Sequence, residues 1–420
     1  MSKKYPLYKT TKSDQWYERA AKVIPAGVYG HLGPAEGQFI PVNRWPRFSD
    51  KAQGTYFWDV DGNKYIDYMC AYGPNVLGYC DPDVDAAALK QIELGNCTTS
   101  PNKIMVECAE LLVDTVNCAD WAFFAKNGND ATSGAIITAR AHTHKKKLIF
   151  FNGFYHGVAP MVQKIDYPGV LPEDVANNLY VDWDDIEGLK KVIAENDDIA
   201  ALIAQPYDHG NFYDNSFPKE GFWQEVRKLC TENGIVLIVD DVRAGFRLDL
   251  AGSDHFFGFE ADIICFCKAL ANGYNMSAFC GKEFLKAAAS SLSYTGSYWM
   301  SAVPFAACIA CINKMKKIDA PKLFKELGTE LTDGLKAAGA EHGFDLVVSG
   351  APALFYLRIA NDDNMMLHQE WIAECVNRGA FFASHHNHFI NAALTHEDIA
   401  TTIEIAEDAF KAVKKNHPEL

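Results

Sequence analysis

The chain has 420 residues, of which 49% are hydrophobic and 22% charged. That is ordinary for a globular protein of two or three domains, and it excludes a disordered chain. With 39 basic and 54 acidic residues the formal charge is −15, a field that repels a phosphate backbone and speaks against nucleic-acid binding.

In chain order, residues 1–50 are irregular and rich in Gly and Pro. The stretch Trp58–Asp67 then reads as a hairpin turning at Asp61-Gly62-Asn63. Helical spacing follows over 83–94 and 102–116, and the Ala-rich segment 130–142 is helix-prone. Five short apolar runs, 121–125, 148–151, 200–204, 235–239 and 263–267, lack alternation, as strands buried on both faces do. Helical segments such as 220–233 lie between several of them. The alternation predicts an α/β fold with a largely parallel sheet covered by helices on both faces. From about residue 315 the texture changes to a helix at 320–340, short β-prone runs at 346–348 and 353–358, and a last helix at about 397–415. This predicts a smaller α+β domain. The expected division is an N-terminal segment 1–75 packing with the small domain, a large domain 76–314 and a small domain 315–420.

No run of about 18 apolar residues is present, so no membrane span is expected. The polar stretch from Met1 to Pro6 lacks the apolar core of a signal peptide. Twelve cysteines follow no disulfide framework and fit a reducing, cytoplasmic setting. The lone Cys308-Ile309-Ala310-Cys311 reads as a buried helix face rather than a metal or redox site.

In an open α/β sheet, ligands bind beyond the carboxyl ends of the strands, so the residues after each run matter most. Asp240 and Asp241 follow the fourth run and Lys268 the fifth. Asn127-Gly128-Asn129 follows the first and opens a helix, and Tyr155-His156-Gly157 follows the second. Each piece alone is ordinary, but together they make a kit. A helix start offers amide N–H groups to a phosphate. Tyr155 offers a flat face to a heteroaromatic ring. Asp240 can hold a proton on a ring nitrogen, and a desolvated Lys268 is a nucleophilic amine. Pyridoxal phosphate needs all four.

At these residues the chain resembles the class III, fold-type I pyridoxal phosphate enzymes, and in texture glutamate-1-semialdehyde aminomutase. The resemblance runs from about residue 13 to 415. It rests on Tyr56–Tyr68, Asn127–Thr132, Tyr155–Gly157, Asp240–Arg247, Lys268 lying 28 residues after Asp240, and Thr395–Ile399. It implies a Schiff base at Lys268, which then shuttles the proton, and an Asp240 that keeps the pyridine nitrogen protonated. It implies cofactor contacts from Asn127, Gly128, Asn129, Tyr155, His156 and Val242. It also implies a homodimer in which a partner stretch equivalent to Tyr294–Pro304 closes over the phosphate. The usual threonine of that stretch is missing, leaving Ser297 or Ser301 to replace it.

Other departures bear on substrate. The aminomutase's arginine-bearing N-terminal stretch is here Val28-Tyr29-Gly30-His31-Leu32-Gly33, and the gate after Tyr-His-Gly is short. An aminotransferase working by a ping-pong scheme between an amino donor and a keto or aldehyde acceptor is therefore expected. An aminomutase or an amino-acid racemase or epimerase is the alternative. Tyr29, His31, Arg243 and His386 are the candidate substrate contacts. Arg243 either pairs with a structural acid or binds a substrate carboxylate. The three imidazoles of His385-His386-Asn387-His388 suggest a metal, but on a strand or loop they diverge, and no metal is assigned.

Overall fold

The computed structural model describes residues 5–25, 27–28 and 46–418. In chain order its strands are β1 (Ser49–Gln53), β2 (Tyr56–Asp59), β3 (Lys64–Asp67), β4 (Trp121–Ala125), β5 (Lys147–Phe151), β6 (Asn178–Val181) and β7 (Ile199–Ala204). They continue with β8 (Val236–Asp240), β9 (Ile263–Phe266), β10 (Ser277–Gly281), β11 (Leu346–Ala351), β12 (Leu354–Ile359), β13 (Ala380–Phe381) and β14 (His388–Phe389).

Seven strands form the main sheet in the order β4-β10-β9-β8-β7-β5-β6. The pairs β6–β5, β5–β7, β7–β8 and β8–β9 are parallel, while β10 runs antiparallel to both β9 and β4. The five apolar runs are thus strands of one sheet. The sequence reading missed β6 and β10. The run Ser277-Ala278-Phe279-Cys280-Gly281 is built mostly of small residues and carries a weak strand signal.

The absence of alternation has a simple cause. All six residues of β7 are buried, and from Ala201 onward successive side chains enter different cores. Ala201 and Ile203 join Ala131, Ala135 and Ile136 of the helix Gly128–Thr143 on one face. Leu202 and Ala204 join Trp223, Val226 and Ile312 on the other. Each fully buried aliphatic side chain contributes about 1.5–3 kcal/mol.

The N-terminal hairpin is completed from the far end of the chain. In the sheet β1-β2-β3-β13, Ala380 and Phe381 pair in parallel with Ile66 and Asp67. A third sheet, β11-β12-β14, lies in the C-terminal part. The stretch Thr395–Ile399 serves as a helix cap. Thr395 N–H donates to Asp398 Oδ2 at 2.9 Å and Asp398 N–H to Thr395 Oγ1 at 3.2 Å, which closes the first turn of the helix His396–Asn416.

Because only β10 is reversed, the carboxyl ends of β4, β9, β8, β7 and β5 share one edge of the main sheet. Asp240 ends β8 and pairs with Cys265 of β9, three residues before Lys268.

One close approach tests the C-terminal packing. A Cβ on Gly328, inside the helix Ala320–Glu341, would lie 2.1 Å from the Pro352 carbonyl oxygen in the β11–β12 turn. Gly328→Ala improves helix propensity by about 1 kcal/mol. The overlap is nevertheless expected to cost about 1–3 kcal/mol net and lower Tm. A thermal melt with Tm unchanged or raised would contradict this packing.

Candidate active site

Lys268 follows β9 in a backbone conformation with φ +34°, a region L-residues rarely occupy. Its neighbour is equally unusual. Cys70, Ala71 and Tyr72 have φ of 47°, 55° and 65°, and Gly73 follows at 106°. Left-handed backbone costs non-glycine residues roughly 1–2 kcal/mol each, so surrounding contacts must hold this turn. Gly73 N–H donates to Met69 O at 3.0 Å, Asp67 Oδ1 accepts from Met69 N–H at 2.8 Å, and buried Arg247 donates to the Gly73 carbonyl. The turn runs along the lysine. A Cβ on Gly73 would stand 3.0 Å from Phe389 and 3.3 Å from Lys268 Cδ, so glycine is required there by space as well as by φ.

Desolvation is the main influence on the Lys268 ammonium. With Arg243 and Arg247 adding repulsion, and Asp240 and Cys267 opposing, it brings the pKa down to about 7. A large share of the amine is neutral at physiological pH.

Asp240 and Asp241 diverge, as successive residues leaving a strand must. Buried Asp240 accepts from His156 Nδ1 at 2.8 Å and from Val242 N–H at 3.2 Å. Asp241 accepts from Ser253 N–H at 2.9 Å and Ser253 Oγ at 2.6 Å, and burial lifts its pKa to about 7. Of the two, Asp240 belongs with the Tyr155–Gly157 segment. That segment is pinned by its backbone: Gln205 Nε2 donates to Tyr155 O at 3.0 Å and Thr132 Oγ1 to His156 O at 2.7 Å. Tyr155 is 57% exposed.

The helix Gly128–Thr143 is capped by Asn127, whose N–H donates to Asp130 Oδ2 at 2.9 Å. Gly128 lies against Val242; a Cβ there would meet Val242 Cγ1 at 2.8 Å. The Asn129 side chain accepts from Val158 and Ala159 N–H, each at 2.8 Å, and ties the helix start to the Tyr155 loop. The first helical turn leaves amide N–H groups without intrahelical acceptors. Ser301 stands at the N-cap of the helix Ala302–Lys317, but its Oγ donates back to Tyr298 O at 2.8 Å rather than to the helix, and the Ser297 carbonyl accepts from Cys97 Sγ at 3.7 Å.

Of the four substrate candidates, Tyr29 and His31 lie outside the described residues. Arg243 and His386 are close enough to Lys268 to act on it or feel its charge. Arg243 pairs with no acid among the described residues. Its Nη1 donates to His209 O at 2.6 Å, Asn387 Oδ1 at 2.6 Å and Asn211 Oδ1 at 3.4 Å. Buried His386 donates from Nδ1 to Asn387 O at 2.8 Å and meets Tyr72 edge-on at 5.2 Å. Burial, then Arg243, holds it neutral. His388 instead accepts from Ala383 N–H through Nε2 at 3.1 Å, so the neighbouring imidazoles do diverge. Among the described residues no group of three or more His, Cys, Asp or Glu is arranged for a metal ion.

Sequence reasoning missed the left-handed turn, Arg247 as its clamp, and His209. The ring of His209 is fully buried, and among the described residues neither nitrogen finds a side-chain or backbone partner. Only the position of His209, four residues after Gln205 at a strand end, pointed to it.

The arrangement fits pyridoxal phosphate. A half-buried amine with a lowered pKa lies within the electrostatic reach of a buried carboxylate. The imidazole on that carboxylate has its Nε2 buried and without a protein partner. A helix start and an exposed aromatic ring complete the set. Fold and site together define a fold-type I pyridoxal phosphate enzyme.

The comparisons narrow the class. Residues 40–410 match the family model described as aminotransferase class-III, and the chain belongs to that family. It is a pyridoxal phosphate-dependent aminotransferase. It is 39% identical over 411 residues to an aminopentol aminotransferase of Sphingopyxis macrogoltabida, covering 98% of this chain and 96% of the relative. It is 30% identical over 432 residues to a glutamate-1-semialdehyde 2,1-aminomutase of Desulforamulus reducens, covering 96% and 98%. The internal aldimine structure of a Sphingopyxis FumI protein superposes with a TM-score of 0.93 at 38% identity, covering 98% of both chains.

The lysine environment makes a pH prediction. The neutral amine is lost as pH falls through about 7, so capture of pyridoxal phosphate by the apoprotein is expected to slow about tenfold per pH unit below that point. Arg243→Met removes repulsion, raises the lysine's pKa and moves the limb to higher pH. Capture rates measured against pH with the limb unmoved would contradict the role of Arg243 in this field.

Proposed function

We propose that Lys268 is the residue that holds the cofactor and then carries the proton during transfer of an amino group from a donor amine to a keto or aldehyde acceptor by a ping-pong scheme. The observation that carries this reading is the Lys268 amine itself, desolvated to a pKa of about 7 and within the electrostatic reach of Asp240, which His156 Nδ1 meets at 2.8 Å. Bound pyridoxal phosphate supplies an aldehyde that takes up the amino group and a pyridine ring that accepts electrons. Asp240 holds the proton on the ring nitrogen, and His156 at 2.8 Å keeps that carboxylate oriented. Val242 and Tyr155 would hold the two faces of the ring. The amides of Gly128 and Asn129, with Asn127 capping the turn, would hold the phosphate, and Ser297 or Ser301 of a partner copy would complete that cradle. With its lowered pKa, Lys268 would serve as the free base that moves the proton at the substrate's reacting carbon.

Arg243, His386, Tyr29 and His31 are the proposed substrate contacts. The relative named for an aminopentol acts on an amine whose name specifies hydroxyls and no acid. A comparable donor, an amine without a carboxylate, is proposed here.

The proposed working form is a cytoplasmic homodimer with the site at the interface. Leu89, Ile92 and Leu94, exposed on the helix Pro82–Leu94, offer a second copy an apolar surface. Among the described residues no helix is long and apolar enough to cross a membrane. The proposed domain division is 1–75, 76–314 and 315–420. The pairing of β3 with β13 supports grouping the first segment with the last.

The test is a half-reaction. A donor amine added to the holoenzyme is expected to bleach the cofactor's visible band, and a 2-keto acid to restore it. Asp240→Asn should lose about 10²–10⁴-fold in kcat, the usual range for a positioned proton-holding group. Lys268→Ala should not turn over. Isomerised product formed without any acceptor, or near-normal turnover in either variant, would defeat the proposal.

A further inference from the structure

Among the described residues the guanidinium of Arg243 is anchored through one nitrogen. Nη1 donates to His209 O, Asn211 Oδ1 and Asn387 Oδ1. Nε and Nη2 donate to none of the described residues. Their shared edge is the fork that matches a carboxylate. Every acceptor on Nη1 is neutral, so the positive charge is positioned without being cancelled. Arginine can only donate, which forces Asn387 to present Oδ1 and leaves Nδ2 to donate to Asn215 Oδ1.

These anchors come from a strap. Residues 208–216, between β7 and the helix Phe222–Asn233, fold back on themselves through Asp208 N–H to Ser216 O at 3.0 Å and its reciprocal at 2.9 Å. The strap is fastened to the C-terminal part of the chain. Arg358 of β12 grips Asp214 at 2.7 and 2.6 Å, Asn215 N–H donates to Ser349 Oγ of β11 at 2.9 Å, and Phe212 N–H donates to His385 O at 3.2 Å. Arg243 leaves the sheet at the end of β8 and is held from the strap by His209 and Asn211 and from the C-terminal part by Asn387.

We propose that this neutral clamp makes Arg243 the receptor for the carboxylate of a 2-keto acid acceptor, with Asn387 and Asn211 as the positioning residues that determine acceptor specificity. The inference rests on the proposed reading of Arg243 as a substrate contact and of the donor as an amine without a carboxylate. The donor gives its amino group to the cofactor and leaves as a carbonyl compound. The acceptor's carbonyl carbon then receives that amino group and leaves as an amino acid. Only the second exchange has an acid to seat. His209 and His386 flank the arginine but are both held neutral by burial, so the receptor carries one positive charge, matched to one carboxylate.

The test places an internal competitor on the clamp. In the holoenzyme, Asn387→Asp keeps the side-chain shape and sets a carboxylate at Nη1. The ratio of kcat/KM for a 2-keto acid to that for an aldehyde of equal chain length without a carboxylate is expected to fall about tenfold or more. The loss should appear in KM for the keto acid rather than in kcat. Protection against thermal unfolding by a non-reacting alkanoate should be lost in the same variant. Asn211→Asp, on the surface strap, should move both readouts in the same direction and serves if the first variant does not fold. Arg243→Met separates the two levels. If it lowers the ratio while neither aspartate variant does, the clamp is overturned and the arginine reading stands. If it leaves the ratio unchanged, both are overturned.

Discussion

Desolvation of one amine organises this protein's site. Keeping Lys268 uncharged near neutral pH requires low polarity, nearby positive charge and a fixed backbone, and each has a structural cost. The low polarity comes from the covered sheet edge. The positive charge comes from Arg243 and Arg247, neither of which is paired with an acid among the described residues. The fixed backbone is a positive φ at Lys268, beside a left-handed turn at residues 70–73. A buried guanidinium without a counter-ion is expensive unless its donors are satisfied. The structure satisfies them in part with carbonyl and amide oxygens, which meet hydrogen-bonding demand without cancelling the charge that the lysine feels.

The same choice explains how the chain is joined. Arg247 reaches from the end of β8 to the carbonyl of Gly73 and lies over the Phe389 ring at 5.0 Å. Arg243 reaches the strap and Asn387. These two arginines, four residues apart in one motif, tie the main sheet's edge to an N-terminal turn and to the C-terminal part. Lys268 touches that turn, and His386 lies within its electrostatic reach. The electrostatic field on Lys268 and the long-range connectivity therefore use the same side chains.

Much of this was legible in the sequence, for a physical reason. Strands buried on both faces must be continuously apolar, so their ends are visible, and in this fold ligands bind beyond those ends. The candidates Asp240, Lys268, Asn127–Asn129 and Tyr155 come from there. The reversed strand β10 was not, because its small residues carry little β signal. The turn at Cys70-Ala71-Tyr72 was not either, since left-handed backbone normally announces itself through glycine or asparagine and here only Gly73 does so. The neutral clamp on Arg243 was invisible because Asn387 lies 144 residues away, and no local pattern encodes a contact at that separation. The sequence left Arg243 between an ion pair and a substrate contact. Among the described residues no acid pairs with it.

A second lysine makes the central claim sharply testable. Lys126, just after β4, is buried, and desolvation lowers its pKa to about 8. It stands beside the same helix start but lacks the arginine field and the Asp240 partner that act on Lys268. The most direct measurement is borohydride reduction of the holoenzyme, followed by digestion and mass spectrometry to find the lysine bearing the pyridoxyl group. A single modified peptide carrying Lys268 is the expected result. Modification at Lys126, or spread across several lysines, would contradict the assignment of Lys268 as the residue around which the site is built.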